Sequence, residues 1–308
     1  MASGKIYDDP VTGPVILVKS PACRRISIRV HPADGVKVVI PGSLSYDEGL
    51  RFFLLKRDWV VSTIARQRER AEKARRDGKT LPLLCNGTAV KTLMSEIVFV
   101  RRDEGAAARH GLREGGGGEV PVSVAVTPVE DVRQTGRTWL SLERPLFRKE
   151  VVYPGSLPEE GSPGLDSLLR QVLVDILRKE ARLVLPQKVA FFADRFGFPY
   201  GKVAVKHNSS NWGSCSARGN INLNLNLVRL PEALCDYVVL HELCHLKYRD
   251  HGPHFHALLE KMCTDNVMRL AGTGDPYMEA LVRKVNTSRA GMPVSRTLER
   301  EMKGYGLI

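Results

Sequence analysis

The 308-residue chain contains no C-x-x-C pair, no apolar run long enough to span a membrane, and no internal repeat. Each absence excludes something. Cys23, Cys85, Cys215, Cys235, Cys244 and Cys263 are scattered singly, which argues against a zinc knuckle or a disulfide framework and for reduced, mostly buried thiols. A membrane helix needs about 20 consecutive apolar residues, and none are present. The opening Met1-Ala2-Ser3-Gly4-Lys5 lacks the apolar core of a secretory signal, so a cytoplasmic location is expected. Acidic residues are in short supply: 34 Asp and Glu face 46 Lys and Arg, a formal charge of +12. That excess favours acidic partners, nucleic acid first among them. Its densest stretch is 66–79, with Arg66, Arg68, Arg70, Lys73, Arg75, Arg76 and Lys79, although Glu69 and Glu72 are interleaved as on an ordinary solvated helix face. With 43% hydrophobic and 26% charged residues, the chain is globular and long enough for two compact units or one elaborated one.

The pattern along the chain predicts an α+β protein. Residues 24–41 alternate polar and apolar around Asp34-Gly35, a hairpin. Ser45-x-x-Glu48 is a capping box that opens a helix over 45–77, with Phe52, Leu55 and Trp59 as its apolar stripe. Strands are expected over 81–101, 120–127 and near 137–142, separated by a Gly-rich insertion at 103–119. These make up a β-rich region over 1–152. The Pro/Gly-rich segment 153–164 is expected to be a linker, followed by a catalytic domain over 165–285 and a loosely held tail over 286–308. Within that domain, a helix from Leu165 should break at Pro186 and restart to Phe196.

The densest chemistry lies at 241–251, His-Glu-Leu-Cys-His-Leu-Lys-Tyr-Arg-Asp-His. On a helix, His241 and His245 project from one face and can hold one metal ion, while Glu242 stands about 100° away, able to reach a water without ligating. Three nitrogens, an open position and a neighbouring carboxylate describe a hydrolytic zinc site. His251 becomes the third ligand if the helix ends before it, as Asp250, Gly252 and Pro253 suggest; His254, His256 and Glu260 are the alternatives. Cys244 points away from the two histidines and is expected to pack. Asn220, Asn222 and Asn224 alternate with Ile221, Leu223 and Leu225, which predicts a half-exposed strand whose edge can bind an extended peptide. Tyr248 and His254 are candidates for stabilising an oxyanion.

Several stretches together carry a family resemblance. Trp212-Gly213-Ser214-Cys215, Gly219-Asn220-Ile221-Asn222-Leu223-Asn224, Tyr237 through Leu246, and His251-Gly252-Pro253-x-Phe255 resemble the YgjP-like family of predicted metal-dependent hydrolases, a zincin group similar to WLM and SprT-type domains. The N-terminal hairpin, Trp59 and Asp77-Gly78-Lys79-x-Leu81-Pro82 also fit. The resemblance implies a zincin-like metallopeptidase domain with zinc on His241, His245 and His251 and Glu242 as catalytic base. Asn211 and His256 depart from the pattern, where the family usually has Arg and Trp. The Trp212–Cys215 segment is expected to be a turn supporting the substrate strand, with Trp212 in the core. The expected activity is zinc-dependent peptide hydrolysis. The alternatives are a nucleic-acid-associated protein with a structural metal, or a zinc hydrolase of non-peptide amides.

Overall fold

The computed structural model describes residues 4–31, 35–76, 79–102, 122–128, 147–271, 276–287 and 292–308. The insertion at 103–119 and the strand expected near 137–142 lie outside the described residues. The architecture is mixed α+β, in two compact units, 1–80 and 81–308. Among the described residues no helix is long and apolar enough to cross a membrane.

The first unit holds a four-stranded sheet of β1 (Gly4–Asp9), β2 (Gly13–Ser20), β3 (Ser27–His31) and β4 (Gly35–Pro41), ordered β1-β2-β4-β3. The expected hairpin is β3 and β4, registered Val30 to Val36. Alternation on β4 and β2 turns Val36, Val38, Ile40, Val15 and Leu17 inward. Two helices cover that face, α1 (Tyr46–Leu55) and α2 (Arg57–Arg76). The capping box is present in full: Ser45 Oγ accepts from the Glu48 N–H, and the Glu48 carboxylate accepts from the Ser45 N–H at 2.7 Å. Gly49 lets α1 approach the sheet, since a Cβ there would meet Ile40 Cδ1.

Two expectations fail here. The helix over 45–77 is interrupted at Lys56 (φ −105°, ψ 11°), whose N–H turns to the carbonyls of Phe52 and Phe53; no breaker residue marks the spot. The buried stripe is Phe53 and Val60, with Leu50 and Ile64 partly buried, and not Phe52, Leu55 and Trp59. Periodicity cannot choose the phase where Phe52-Phe53-Leu54-Leu55 is apolar all round.

The second unit opens with a sheet of β5 (Ala89–Lys91), β6 (Ser95–Arg102), β7 (Ser123–Pro128) and β8 (Phe147–Pro154), ordered β5-β6-β8-β7. Its inward residues Ile97, Phe99, Val151 and Tyr153 share one core with α3 (Pro163–Phe196) and the helices beyond. The compact units therefore divide after Thr80 and not at 153–164. That segment is pinned: the Glu160 carboxylate accepts from the Tyr153 hydroxyl (2.8 Å), the Asn86 N–H (3.0 Å) and Arg101 (3.2 Å). Ser162 then caps α3, with Pro163 in its first turn. Pro186 does not end the helix, which runs through it to Gly197, a left-handed C-cap. Leu185 and Val189 on either side are buried in the same core, and that packing outweighs the lost hydrogen bond.

Among the described residues, a small sheet and four α-helices follow α3. The sheet comprises β9 (Val203–Lys206), β10 (Gly213–Cys215) and β11 (Ile221–Asn224), ordered β10-β11-β9. A 3₁₀ turn, Leu225–Arg229, leads to α4 (Glu232–Cys244), followed by α5 (Pro253–Ala271), α6 (Pro276–Thr287) and α7 (Val294–Met302). The tail expected over 286–308 is thus partly wrong. Val294, Leu298 and Met302 are buried in the main core, and Glu260 caps α7 by accepting from the N–H groups of Val294 and Ser295 (2.8 and 2.9 Å). The four-residue spacing of those apolar positions puts them on one face of a helix.

Candidate active site

Helix α4 is buried almost throughout, because it runs through the core between α3, α5 and the small sheet. Within it, Asp236 is fully buried and saturated. Its carboxylate receives Lys188 of α3 (2.5 Å), Asn266 of α5 (3.1 Å) and Arg269 of α5 (3.3 Å), and Lys188 also reaches Glu232 (2.9 Å). This network ties α4 to both neighbours five residues before His241. An acid inside the run Leu234-Cys235-Asp236-Tyr237-Val238 is its only sequence signal.

The helix ends at Cys244, with His245 as its cap, so the chain leaves earlier than Asp250. Residues 246–252 fold back and bring His251 beside the other two histidines, with one ring nitrogen of each of the three within 4.8 Å of the others. His241 Nε2 and His251 Nε2 stand 3.1 Å apart. Two nitrogens ligating one tetrahedral ion at about 2.0–2.1 Å are separated by roughly 3.3 Å, so this pair fits a metal. His245 Nδ1 lies 3.1 Å from the Tyr248 carbonyl. A carbonyl only accepts, so Nδ1 carries the hydrogen and Nε2 is left as the ligand atom. Burial, then the neighbouring His245 and His251, lower the His241 pKa to about 4, which keeps that imidazole in the neutral form a metal requires. Buried Phe255 packs its ring 4.6–5.0 Å from all three imidazoles and holds the cluster from below.

The alternatives considered for the third ligand do not join this group. Glu260 caps α7; His254 stacks on Tyr248 at 5.9 Å; the ring of His256 is 6.5 Å from that of His251. Cys244 is buried on the far side, its thiol pushed up to about 12 by burial.

Glu242 is buried beside His241, and its Oε2 has no hydrogen-bond partner. Burial raises its pKa to about 7, and a cation on the neighbouring imidazoles acts in the opposite sense. Its carboxylate lies against the Cα of Gly213, where a Cβ would stand 2.7 Å from Oε1. The Trp212–Cys215 segment therefore enters the site as strand β10, at the edge of its sheet, and not as a supporting turn.

The expected substrate strand is also corrected. β11 lies between β10 and β9, so both of its edges are already paired. Its asparagines face the protein. Asn220 Oδ1 accepts from the Lys202 N–H (2.9 Å), Asn222 donates to Ser214 Oγ (3.2 Å), and Asn224 donates to the carbonyls of Asn208 (2.8 Å) and Asn211 (2.9 Å). Asn226, which continues the alternation, is fully buried in the 3₁₀ turn. Period-2 alternation reports which side chains are apolar, but cannot tell a polar face bound to protein from one bound to water.

Two clefts of about 330 and 270 Å³ flank His241 and share Tyr237 and Glu299 as walls. The first reaches over His251 and the second over Gly213 and Glu242. Sequence reasoning missed Glu299, since it lies on α7. Lys303 (3.1 Å) and Arg296 (3.5 Å) pair with it, and the Lys303 contact leads the lowering of its pKa.

Comparison with known families points to a metallopeptidase. Residues 159–269 match the family described as YgjP-like, metallopeptidase domain. Among solved structures, the chain is similar to the metallopeptidase zymogen of Pyrococcus abyssi abylysin, at 18% identity over 41% of this chain and 100% of that chain (TM-score 0.28). It is also similar to the metallopeptidase zymogen of Methanocaldococcus jannaschii jannalysin, at 22% identity over 32% of this chain and 95% of that chain (TM-score 0.25). No curated protein matches the chain. The segment that matches this metallopeptidase family, residues 159–269, carries the three imidazoles and Glu242.

Proposed function

We propose that the chain is a zinc-dependent peptidase in which Glu242 is the general base. The observation that carries this reading is the convergence of His241, His245 and His251 beside a buried carboxylate whose Oε2 has no partner. His241, His245 and His251 would hold the ion, which when bound supplies Lewis acidity and lowers the pKa of water. The remaining work belongs to the protein. Glu242 accepts the proton of the attacking water and delivers it to the leaving amine. The Tyr248 carbonyl keeps His245 in one tautomer. Edge strand β10, next to Glu242, offers backbone groups to which an extended peptide can add, with the two clefts taking side chains on either side of the bond to be cut. The test is metal content and peptide hydrolysis for wild type and Glu242→Gln. The variant should keep one zinc per chain and lose hydrolysis by 10²-fold or more, at the lower end of roughly 10²–10⁴ for general-base catalysis. Undiminished hydrolysis in Glu242→Gln would refute this assignment.

A further inference from the structure

The first unit has no part in that chemistry, yet it carries most of the chain's charge. Residues 1–80 hold sixteen Lys and Arg against nine Asp and Glu, a formal +7 of the total +12. They also expose apolar side chains that the helix pattern marks for burial: Trp59 is 47% and Leu55 78% accessible. A large exposed aromatic marks a contact surface more often than an exposed aliphatic does.

Trp59 helps line a groove of about 320 Å³ between β3 and the α1–α2 junction, together with Ile26, Ser27, Ile28, Phe52 and Lys56. The floor is apolar and the rim carries a cation. β3 is the edge strand of its sheet, so backbone donors and acceptors border the groove. On α2, Trp59, Arg66 and Lys73 follow one another at intervals of seven residues, within about 20° per step of a single line. Arg66 and Lys73 are exposed, and Arg66 leans along the helix onto the Ser62 carbonyl (3.3 Å) and Thr63 Oγ1 (3.2 Å). The line from Trp59 to Lys73 is about 21 Å long at 1.5 Å per residue. Glu72 falls about 100° or more away from it, while Glu69 stands about 60° from Arg66 and about 40° from Lys73. Of these two acids, Glu72 is off the line, and Glu69 stands beside its far end, about 80° round the helix and about 15 Å along it from Trp59 and the groove.

We propose that this surface binds single-stranded nucleic acid, with one base stacked on Trp59 in the groove and the phosphates following Lys56, Arg66 and Lys73 along α2. An aromatic platform beside a basic track is the combination that single strands require, because every base has a stacking face and every nucleotide a charge. A duplex hides its bases and would leave Trp59 and the apolar floor unused. An acidic peptide would satisfy the cations without filling the groove.

The test is fluorescence anisotropy of the full chain with a labelled 20-mer of thymidine, repeated over a salt series without peptide substrate, so that its outcome does not depend on the peptidase reading. The single strand should bind with log Kd linear in log salt. Trp59→Ala should weaken binding about 5- to 150-fold, while Trp59→Phe keeps most of the affinity. Arg66→Glu and Lys73→Glu, both on an exposed helix face, should each weaken binding and reduce the salt slope by about 0.7 or more. Far-UV circular dichroism of each variant establishes that the fold is intact. Equal affinity in Trp59→Ala and wild type, tighter binding of a 20-base-pair duplex than of the single strand, or salt-independent binding would each overturn the proposal. So would charge-reversal variants that bind as wild type does.

Discussion

Gly213→Ala should disable the site without emptying it. Gly213 does not occupy the left-handed region, so alanine costs little in the backbone, and the effect comes from the added Cβ alone. That Cβ would stand 2.7 Å from Glu242 Oε1, 2.8 Å from its Cγ and 3.0 Å from its Cδ. Non-bonded heavy atoms settle at about 3.5 Å or more, so the carboxylate has to retreat by roughly 0.8 Å. A displacement of about 1 Å at a reacting group costs on the order of 10²-fold in rate. The three atoms nearest that Cβ all belong to Glu242 and none to an imidazole, so metal content should not change. Overpacking of this kind costs about 1–3 kcal/mol, and a unit of this size loses about 2–4 °C of Tm for each kcal/mol. The assay pairs metal stoichiometry and thermal unfolding with kcat/KM on a peptide substrate. The expected result is full metal, a modest drop in Tm, and kcat/KM reduced by roughly 10²-fold. Wild-type kcat/KM in a variant whose folding and metal content are intact would refute the claim that the position of Glu242 limits the reaction.

Other consequences are open to simpler measurements. His251→Ala removes one of three converging imidazoles, so in chelator competition it should lose more affinity than the roughly 10–100-fold that an outer-shell change costs. Lys188→Met leaves Asp236 and Glu232 without their shared buried cation, and denaturant unfolding should show a loss of about 3–5 kcal/mol. The Glu160 carboxyl is partly desolvated, which raises its pKa, but hydrogen bonds from Asn86, Tyr153 and Arg101 outweigh this and hold it below the ordinary value. Its stabilisation is therefore complete above about pH 4.5 and fades as pH falls through the lowered value. Glu160→Gln should flatten the decline of Tm below about pH 4.5, by a small amount because the side chain is over one-third exposed.

How much of this could be read from sequence depended on the range of the interaction. The capping box at Ser45–Glu48, the β3–β4 hairpin and the shared face of His241 and His245 are settled within a few residues, and each was legible. The return of His251 was legible in outline, from Gly252 and Pro253, although the helix ends at Cys244 rather than near Asp250. What failed depends on partners far along the chain. Pro186 continues a helix because the core on both sides of it is already filled, and α7 is ordered by Glu260 and by the apolar faces of α4 and α5.

The most instructive failure concerns where a peptide can lie. Alternation at 220–227 singled out a strand of the sheet that reaches the site, but an edge is a property of a sheet and no strand has it alone. β11 is the middle strand because β9 pairs with it in parallel and β10 antiparallel, and its asparagines are spent on holding the loop that delivers β10. The open edge thereby passes to β10, where glycine at 213 is required by the carboxylate it touches. In the proposed reaction the same two residues, Gly213 and Glu242, would decide both where a peptide backbone approaches and where a proton is taken. That coupling explains why a segment with no metal ligand lies at the centre of the site.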